Sequence, residues 1–455
     1  MTGSADVSVQ PRDHSTQGTN VALTEQPESS ICPHFPFPRQ DVPAEGVPWG
    51  PDHDPLGLAP HYEELGLVTR VSLSDGQEAH LVTGHAECVE VLRDETRFVR
   101  GATPGWPAPD GIRPYPTTAP TLLCMDGKQH RLIRGLAGNA FATATIHRYR
   151  PMVQTLTTRL VEDMLNTSQP VEVNQALGMP LTLGIIGAVM GVPEQDLPQF
   201  AVWGDLFLST GPDRDDDNSR AKQEMAAYMG QAIGQRMASL DSAPPDELMT
   251  SIAARAAAHI ADNPGQAEQT MTDTVIFAAS LVIAGWETTA AAIASFLFRL
   301  LTHHGHDGTT LYRQLCTHPE RIPTAVEELM RTIPNAAFES AQPRRAIVDT
   351  ELAGVPIKAG DLVIAAIDRA NRDPRTFNDP DQLDFTRAAA SQHLGFGGGP
   401  HICMGAPLAR LELNVVLETL TQRAPNLRLH TPPQDVQWNT ATTIRRPAEL
   451  WIQLR

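Results

Sequence analysis

The segment Phe396-Gly397-Gly398-Gly399-Pro400-His401-Ile402-Cys403-Met404-Gly405-Ala406-Pro407-Leu408-Ala409-Arg410 constrains this chain more than any other. One cysteine, Cys403, follows a glycine-rich turn and opens a helix. Leu408, Leu411 and Val415 recur at helical spacing after it. Pro407 is tolerated because first-turn amides have no intrahelical acceptor. Those amides point back toward the sulfur, and together with the helix dipole they favour a thiolate over a thiol. Gly397, Gly398, Gly399 and Gly405 remove side chains on both sides of Cys403. A flat, bulky group can therefore approach the backbone closely. The segment suits presenting one sulfur, at a helix start, to a flat group.

At 455 residues the chain has room for two or three average domains or one large enzyme domain. Its 5 cysteines, Cys32, Cys88, Cys124, Cys316 and Cys403, are scattered, with no CxxC pair. Neither a disulfide frame nor a structural zinc site is indicated, and a reducing cytoplasm fits. A formal net charge of −18 argues against nucleic acid and anionic membrane as partners. Residues 1–30 are polar throughout and are expected to be a disordered tail, with no signal peptide or anchor in them. The most apolar stretch, Val275 to Leu301, is interrupted by Glu287 and by Thr and Ser, which suits a helix buried in protein better than a membrane span.

Val68–Val71 and Ala79–Thr83 are β-prone and flank Asp75-Gly76, which predicts a hairpin. His85–Arg93 alternates as a helix. Residues 98–122 carry many Pro and Gly, and a loop that long tends to be functional. From about 127 to 330 the pattern is mostly helical, with breaks at Ser168–Pro170, Gly191–Pro193, Gly211–Asp217, Ser242–Pro245 and Asn263–Gly265. The run Asp213–Asp217 reads as a solvated loop between helices. Beyond 340 short strands are expected at Ala346–Val348, Val355–Ile357, Leu362–Ala365 and Leu450–Leu454. The whole is a mainly α chain with small β-sheets (α+β), one domain over 31–455.

Three further groups of residues carry chemistry. The predicted helix Thr272–His303 contains Ala284-Gly285-Trp286-Glu287-Thr288-Thr289. Gly285 costs a helix interior about 1 kcal/mol against Ala, which is explicable if the helix passes close to a ligand. A threonine hydroxyl there can disturb the backbone ladder, and Glu287 can relay protons. Glu328 and Arg331 share one helix face. His130 and Arg134, four residues apart, also share a face.

Taken together these segments resemble the cytochrome P450 family. Its cysteine loop, Phe-Gly-x-Gly-x-His/Arg-x-Cys-x-Gly, is matched at every fixed position from Phe396 to Gly405. Ala284–Thr288 resembles its oxygen-activation motif, Glu328 and Arg331 its Glu-x-x-Arg pair, and Cys32–Arg39 the opening of actinobacterial members. The resemblance covers about residues 32–455. It implies haem b (iron protoporphyrin IX) held between the long helix and the cysteine-loop helix, with Cys403 as iron ligand. His130, Arg134, Arg344 and His401 match partners of the haem propionates, Arg345 being the alternative to Arg344. Ala284, Gly285, Phe396 and Gly405 match positions that contact the cofactor, and Glu287 with Thr288 the acid and alcohol that supply protons to bound O2. An arginine that usually completes the Glu-x-x-Arg set is replaced by Gln382, with Arg372 the nearest substitute. Trp286 is unusual for the motif and is expected to point away from the haem.

The activity implied is a monooxygenase that hydroxylates or epoxidises a medium-to-large organic substrate, such as a polyketide, peptide or terpenoid. Electrons would come from NAD(P)H through separate ferredoxin and ferredoxin reductase proteins, docking on the cysteine side with help from residues such as Arg410. A cytoplasmic monomer is expected. Aryl coupling or nitration on the same haem is an alternative. A non-catalytic haem or carrier-protein binding module is a further one. The substrate would meet the 98–122 loop with Trp106, residues near 200–212, Ile283, Ala284, Asn335–Glu339 and Thr440–Ile444.

Overall fold

The structure, a computed structural model, describes residues 34–35, 54–58, 60–73, 76–101, 121–138, 140–208, 215–242, 247–305, 307–335, 341–439 and 444–455. Its helices in chain order are α1 (His85–Arg93), α2 (Gly127–Leu136), α3 (Thr143–Ile146), α4 (Arg150–Asn166), α5 (Met179–Met190), α6 (Leu197–Leu208), α7 (Asp215–Ala238), α8 (Leu248–Asp262), α9 (Ala267–Thr302), α10 (Leu311–Thr317), α11 (Ile322–Thr332), α12 (Ile367–Ala370) and α13 (Ala406–Arg423). The apolar spacing that predicts these helices also sets their buried faces. In α13, Leu408, Leu411 and Val415 all lie in the core. The long helix α9 runs through the centre and packs against α5, α7, α8 and α13. It is long and apolar enough to cross a membrane, but 83% of its most apolar window is buried inside the protein, the environment of a core helix.

Strands β1 (His34–Phe35), β2 (Val68–Leu73), β3 (Glu78–Val82), β4 (Phe98–Val99), β6 (Ala341–Ala346) and β9 (Leu362–Ala366) form one sheet in the order β1-β2-β3-β9-β6-β4. The hairpin β2–β3 is antiparallel, with Val68 opposite Val82, and Gly76 supplies the positive φ its turn requires. β3 pairs parallel with β9, and β9 antiparallel with β6, so Arg344 lies opposite Val363. A smaller sheet joins β5 (Val171–Glu172), β10 (Arg428–Leu429) and β11 (Trp451–Gln453), and β7 (Thr350–Leu352) pairs with β8 (Val355–Ile357). Pro33–Arg455 form one compact unit. The tail expected at 1–30 lies outside the described residues.

Several boundaries differ from the sequence expectations; the loop expected from residue 98 opens with strand β4, and the last strand is Trp451–Gln453 rather than Leu450–Leu454. The strand expected at Ala346–Val348 is Ala341–Ala346, with Ile347 and Val348 exposed beyond its end. Pro343 hid it, since proline cannot donate to a ladder. It is accommodated because β4 pairs only with Arg345 and Ala346, leaving one edge free at Pro343. Asp215–Asp217 are the first turn of α7, not loop, and Asp217 pairs with Arg220 at 2.5 Å. Acids are favourable at a helix start because they face its positive dipole end. Helix α9 begins at Ala267, five residues before the expected Thr272.

Candidate active site

Helix α9 is the roof of the site. From Leu281 to Leu301 every residue is buried except Ala284, Gly285 and Thr288. Their offsets of zero, one and four put them on one face, so the helix opens onto free space only there. Thr288 Oγ1 donates to the carbonyl of Ala284 at 2.7 Å, inside the backbone ladder where the motif predicts a disturbance. Gly285 has a different reason from the one expected. A Cβ there would lie 2.8 Å from Ile186 Cδ1, so the missing side chain lets α5 pack on α9. Trp286 is buried with its ring against α6, where a Cβ on Gly204 would lie 2.1 Å from Trp286 Cζ3.

Glu287 is buried at 4% exposure and is not a free acid. Its Oε1 accepts from Arg446 Nε at 3.0 Å. The sequence gave no signal for Arg446, which lies 159 residues downstream in an irregular stretch.

The cysteine loop is the floor. Gly399, at φ +62, lies against α1, where a Cβ would meet Leu92 O at 2.2 Å. Only glycine allows the loop to dock there. Cys403 N–H donates to Phe396 O at 2.8 Å, which closes the turn. Cys403 keeps open surface although it lies well inside the protein. Burial pushes its thiol up, and the amides of Gly405 and Ala406, with Arg134 and Arg410, offset this only in part. The expectation that amides and dipole alone would favour the thiolate is thus not met by the protein by itself. A metal ion bound to the sulfur reverses the balance, since coordination deprotonates a thiol outright.

Two arginines and two histidines gather at one side of this space. Arg344 on β6, His130 on α2, His401 in the loop and Arg100 just after β4 surround Asp126, with Glu95 beside the two histidines. Asp126 precedes α2 but does not cap it. Its carboxylate instead accepts from Arg100 N at 2.9 Å and Gly101 N at 2.6 Å, and lies 3.4 Å from His401 Nε2. Burial works against its charge, yet His401 and these amides hold it at about 2. The His130 and His401 rings lie 4.3 Å apart. Burial, then His401 and Arg134, lower His130 to about 4; burial, then Arg100, lowers Arg344 to about 9. Both ring nitrogens of His130 and Nη2 of Arg344 are buried without a hydrogen-bond partner. Unpaired donors beside crowded cations call for carboxylates, and haem b carries two. Arg134 is already engaged, donating to Ile402 O at 2.7 Å. Arg100, which sequence reasoning missed, donates to Leu123 O and Pro343 O and so positions this cluster.

Ligand atoms of Glu95, His130 and His401 lie within 4.8 Å of one another. A metal cation there is disfavoured by the neighbouring Arg100, Arg134 and Arg344, which suit an anion. An open pocket of about 450 Å³, lined by His130, Arg131 and Arg134 among others, leads to this edge from outside.

Beneath the floor, Glu328 and Arg331 are fully buried and bidentate, at 2.8 and 2.7 Å. Their third partner is Arg387, not Arg372. Arg387 Nε donates to Glu328 Oε1 at 2.9 Å, and its other nitrogens reach Asn378 O, Asp379 O and Gln382 O. Arg372 pairs with the exposed Asp381 and donates to Leu56 O and Thr332 O. The side chain at Gln382 is therefore not needed, since an arginine five residues later reaches the same carboxylate. Arg410, expected at a docking face, is bidentate with Glu327 at 2.7 and 2.9 Å.

Of the expected substrate contacts, Ile283 is buried and Ala284 is on the open face. Residues 102–120 with Trp106, 209–212, Ala336–Glu339 and Thr440–Thr443 lie outside the described residues.

Comparison with known proteins agrees with this geometry. Residues 322–449 match the model of the family described as Cytochrome P450. The chain is 37% identical over 403 residues to mycinamicin IV hydroxylase/epoxidase of Micromonospora griseorubida, covering 87% of this chain and 95% of that one. It is 35% identical to nocardicin C N-oxygenase of Nocardia uniformis subsp. tsuyamanensis, with the same coverage of 87% and 95%. Among solved structures, cytochrome P450mel 107F1, described as having biaryl coupling reactivity, superposes with a TM-score of 0.74 at 32% identity, covering 88% of this chain and 97% of that one. With a cysteine floor, an open-faced threonine roof and buried histidine and arginine nitrogens suited to two carboxylates, the chain belongs to the cytochrome P450 family of haem-dependent monooxygenases.

Proposed function

We propose that this protein inserts one oxygen atom from O2, as hydroxyl or epoxide, into a medium-to-large natural product during its tailoring. The supporting relatives are a hydroxylase/epoxidase and an N-oxygenase, both acting on natural products by name. The observation that carries the reading is the acid–alcohol pair on α9: Thr288 on the open face and buried Glu287 beside it.

Haem b, when bound, supplies the iron at which O2 is reduced. Cys403 is the residue that would ligate it from below. His130, Arg344 and His401 would hold its carboxylates, with Arg134 pinning the loop beside Cys403. Ala284, Phe396 and Gly405 would line the ring, while Gly285 lets α5 pack against α9 beside it. Thr288 donates to Ala284 O, and its hydroxyl can exchange that bond for a proton acceptor on the open side. Glu287 can replenish that proton once Arg446 releases its carboxylate and the carboxylate takes up a proton from solvent. The bond from Arg446 holds the acid in place until then.

The family draws electrons from redox partners. We place a ferredoxin and an NAD(P)H-dependent ferredoxin reductase in that role, with the enzyme a monomer in the cytoplasm. A second reading, oxidative aryl coupling, is supported by the likeness to the biaryl-coupling structure. The relatives' oxygenase activities set aside a non-catalytic haem or carrier-protein module.

Two measurements test the proposal. The carbon monoxide complex of the reduced protein should absorb at about 450 nm, as thiolate ligation demands, and Cys403→Ser should lose that band. A wild-type band at about 420 nm, unchanged in Cys403→Ser, would remove Cys403 from the iron. Turnover of a natural-product panel under ¹⁸O2 should then label the product. An unlabelled, coupled product would establish the second reading.

A further inference from the structure

Two side chains, Arg410 and His393, meet Phe396, the residue whose carbonyl holds the Cys403 amide, and Glu327 joins the two. Arg410 Cζ stands 4.5 Å from the Phe396 ring centroid, within cation–π range. The same guanidinium is bidentate to Glu327 of α11 at 2.7 and 2.9 Å. Glu327 Oε2 also lies 3.2 Å from His393 Nε2. His393 Nδ1 accepts from Gly395 N at 3.0 Å, which fixes the tautomer and leaves the Nε2 proton for Glu327. Glu327 thus grips both sides of Phe396, through Arg410 over its ring and through His393 at the preceding residue.

The charges in this set are fixed. Burial works against the Glu327 carboxylate, but His393 and Arg410 hold it at about 2. The Arg410 side chain is 35% exposed and that of Glu327 16%, so solvent screens the pair only in part.

We propose that Glu327 and Arg410 are a positioning pair that sets how strongly Cys403 donates electron density to the iron, with Phe396 as the element they hold. This rests on the reading of Cys403 as iron ligand. The positive member withdraws density from the sulfur and raises the haem reduction potential; the negative member opposes it. Arg410 is then a tuning residue for the sulfur.

The test is a potentiometric titration of the haem-loaded protein and its variants, with the carbon monoxide band recorded for each. Arg410→Met leaves Glu327 unbalanced and should lower the ferrous-to-ferric ratio at fixed potential three- to tenfold, about 30–60 mV at 59 mV per tenfold for one electron. Glu327→Gln keeps the shape, removes the negative charge, and should raise the ratio by a similar factor. Arg410→Lys, which keeps the charge but not the fork, should shift it less than Arg410→Met does. Shifts of the same sign in Arg410→Met and Glu327→Gln, or shifts under twofold in both, overturn the proposal. If Arg410→Met loses its band at about 450 nm, Glu327→Gln decides alone, and an unchanged ratio there overturns the proposal. Absence of that band in the wild type is a different failure, that of the thiolate reading itself.

Discussion

Replacing Arg387 by Met should destabilise this protein more than replacing Arg372 does, and the structure sets the margin. Arg387 is 7% exposed and donates to Glu328, whose side chain is fully buried. Removing one partner of a buried ion pair costs about 3–5 kcal/mol, because a buried charge is left uncompensated. Here Glu328 keeps both bonds to Arg331, at 2.8 and 2.7 Å, which places the loss at the lower end. The carbonyls of Asn378 and Asp379 also lose a donor, adding about 1 kcal/mol between them. Gln382 O keeps a long contact with Arg331 at 3.4 Å. The sum is about 3–4 kcal/mol. Arg372 faces Asp381, which is 76% exposed, and such pairs are worth about 0.5 kcal/mol. Its two carbonyl partners, Leu56 and Thr332, add about 1 kcal/mol. Urea unfolding of the haem-loaded variants, followed by far-ultraviolet circular dichroism at a common m-value, reads the difference as about 2 kcal/mol. A loss in Arg372→Met equal to that in Arg387→Met, or a loss in Arg387→Met below about 1 kcal/mol, would refute the assignment of Arg387 as the third member of the network.

Two further outcomes follow from the site. His130 is held at about 4, below its ordinary 6.5, so the haem-free fold binds fewer protons than the unfolded chain between those values. Its contribution is complete above pH 6.5 and is lost as pH falls toward 4, about 2 kcal/mol by pH 4.5. Haem-free His130→Gln should therefore lose urea resistance less steeply over that range than haem-free wild type, and parallel slopes would rule out His130 as the titrating group. Arg446→Met leaves the Glu287 carboxylate without its cation, and product formed per NAD(P)H should fall roughly tenfold while Arg446→Lys keeps most of it. Unchanged coupling would take Arg446 out of proton delivery.

The sequence made the chemistry legible where one short segment carries it whole. Phe396–Arg410 holds turn, sulfur and helix start in fifteen consecutive positions, and the structure builds the turn and, from Ala406, the helix. The roof motif and the His130–Arg134 face were legible for the same reason, since helical spacing converts sequence offset directly into a shared face. What escaped was every pairing made between distant segments. Arg446 reaches Glu287, Arg387 reaches Glu328 and Arg410 reaches Glu327 across separations of 159, 59 and 83 residues, and no local pattern marks any of them. Arginine is suited to such bonds because its planar fork can serve a carboxylate and backbone carbonyls together, as Arg387 does.

The two glutamates of Val326-Glu327-Glu328-Leu329 show what this costs a reading from sequence alone. As neighbours on a helix they point in directions about 100° apart. Glu328 turns into the core and meets Arg331 and Arg387, where both charges of the inner pair are fully buried. Glu327 turns toward the cysteine loop and meets Arg410 and His393. The pattern Glu-x-x-Arg marks only the first, because its partner lies one turn away on the same helix. The second has no partner on α11, so its role appears only when α13 and the loop before Phe396 are folded against it. Removing the inner charge should weaken the fold, whereas removing the outer one should change the potential of the haem with little loss of stability. Adjacent positions of one residue type thus separate holding the protein together from tuning its sulfur, and the helix turn between them makes the separation.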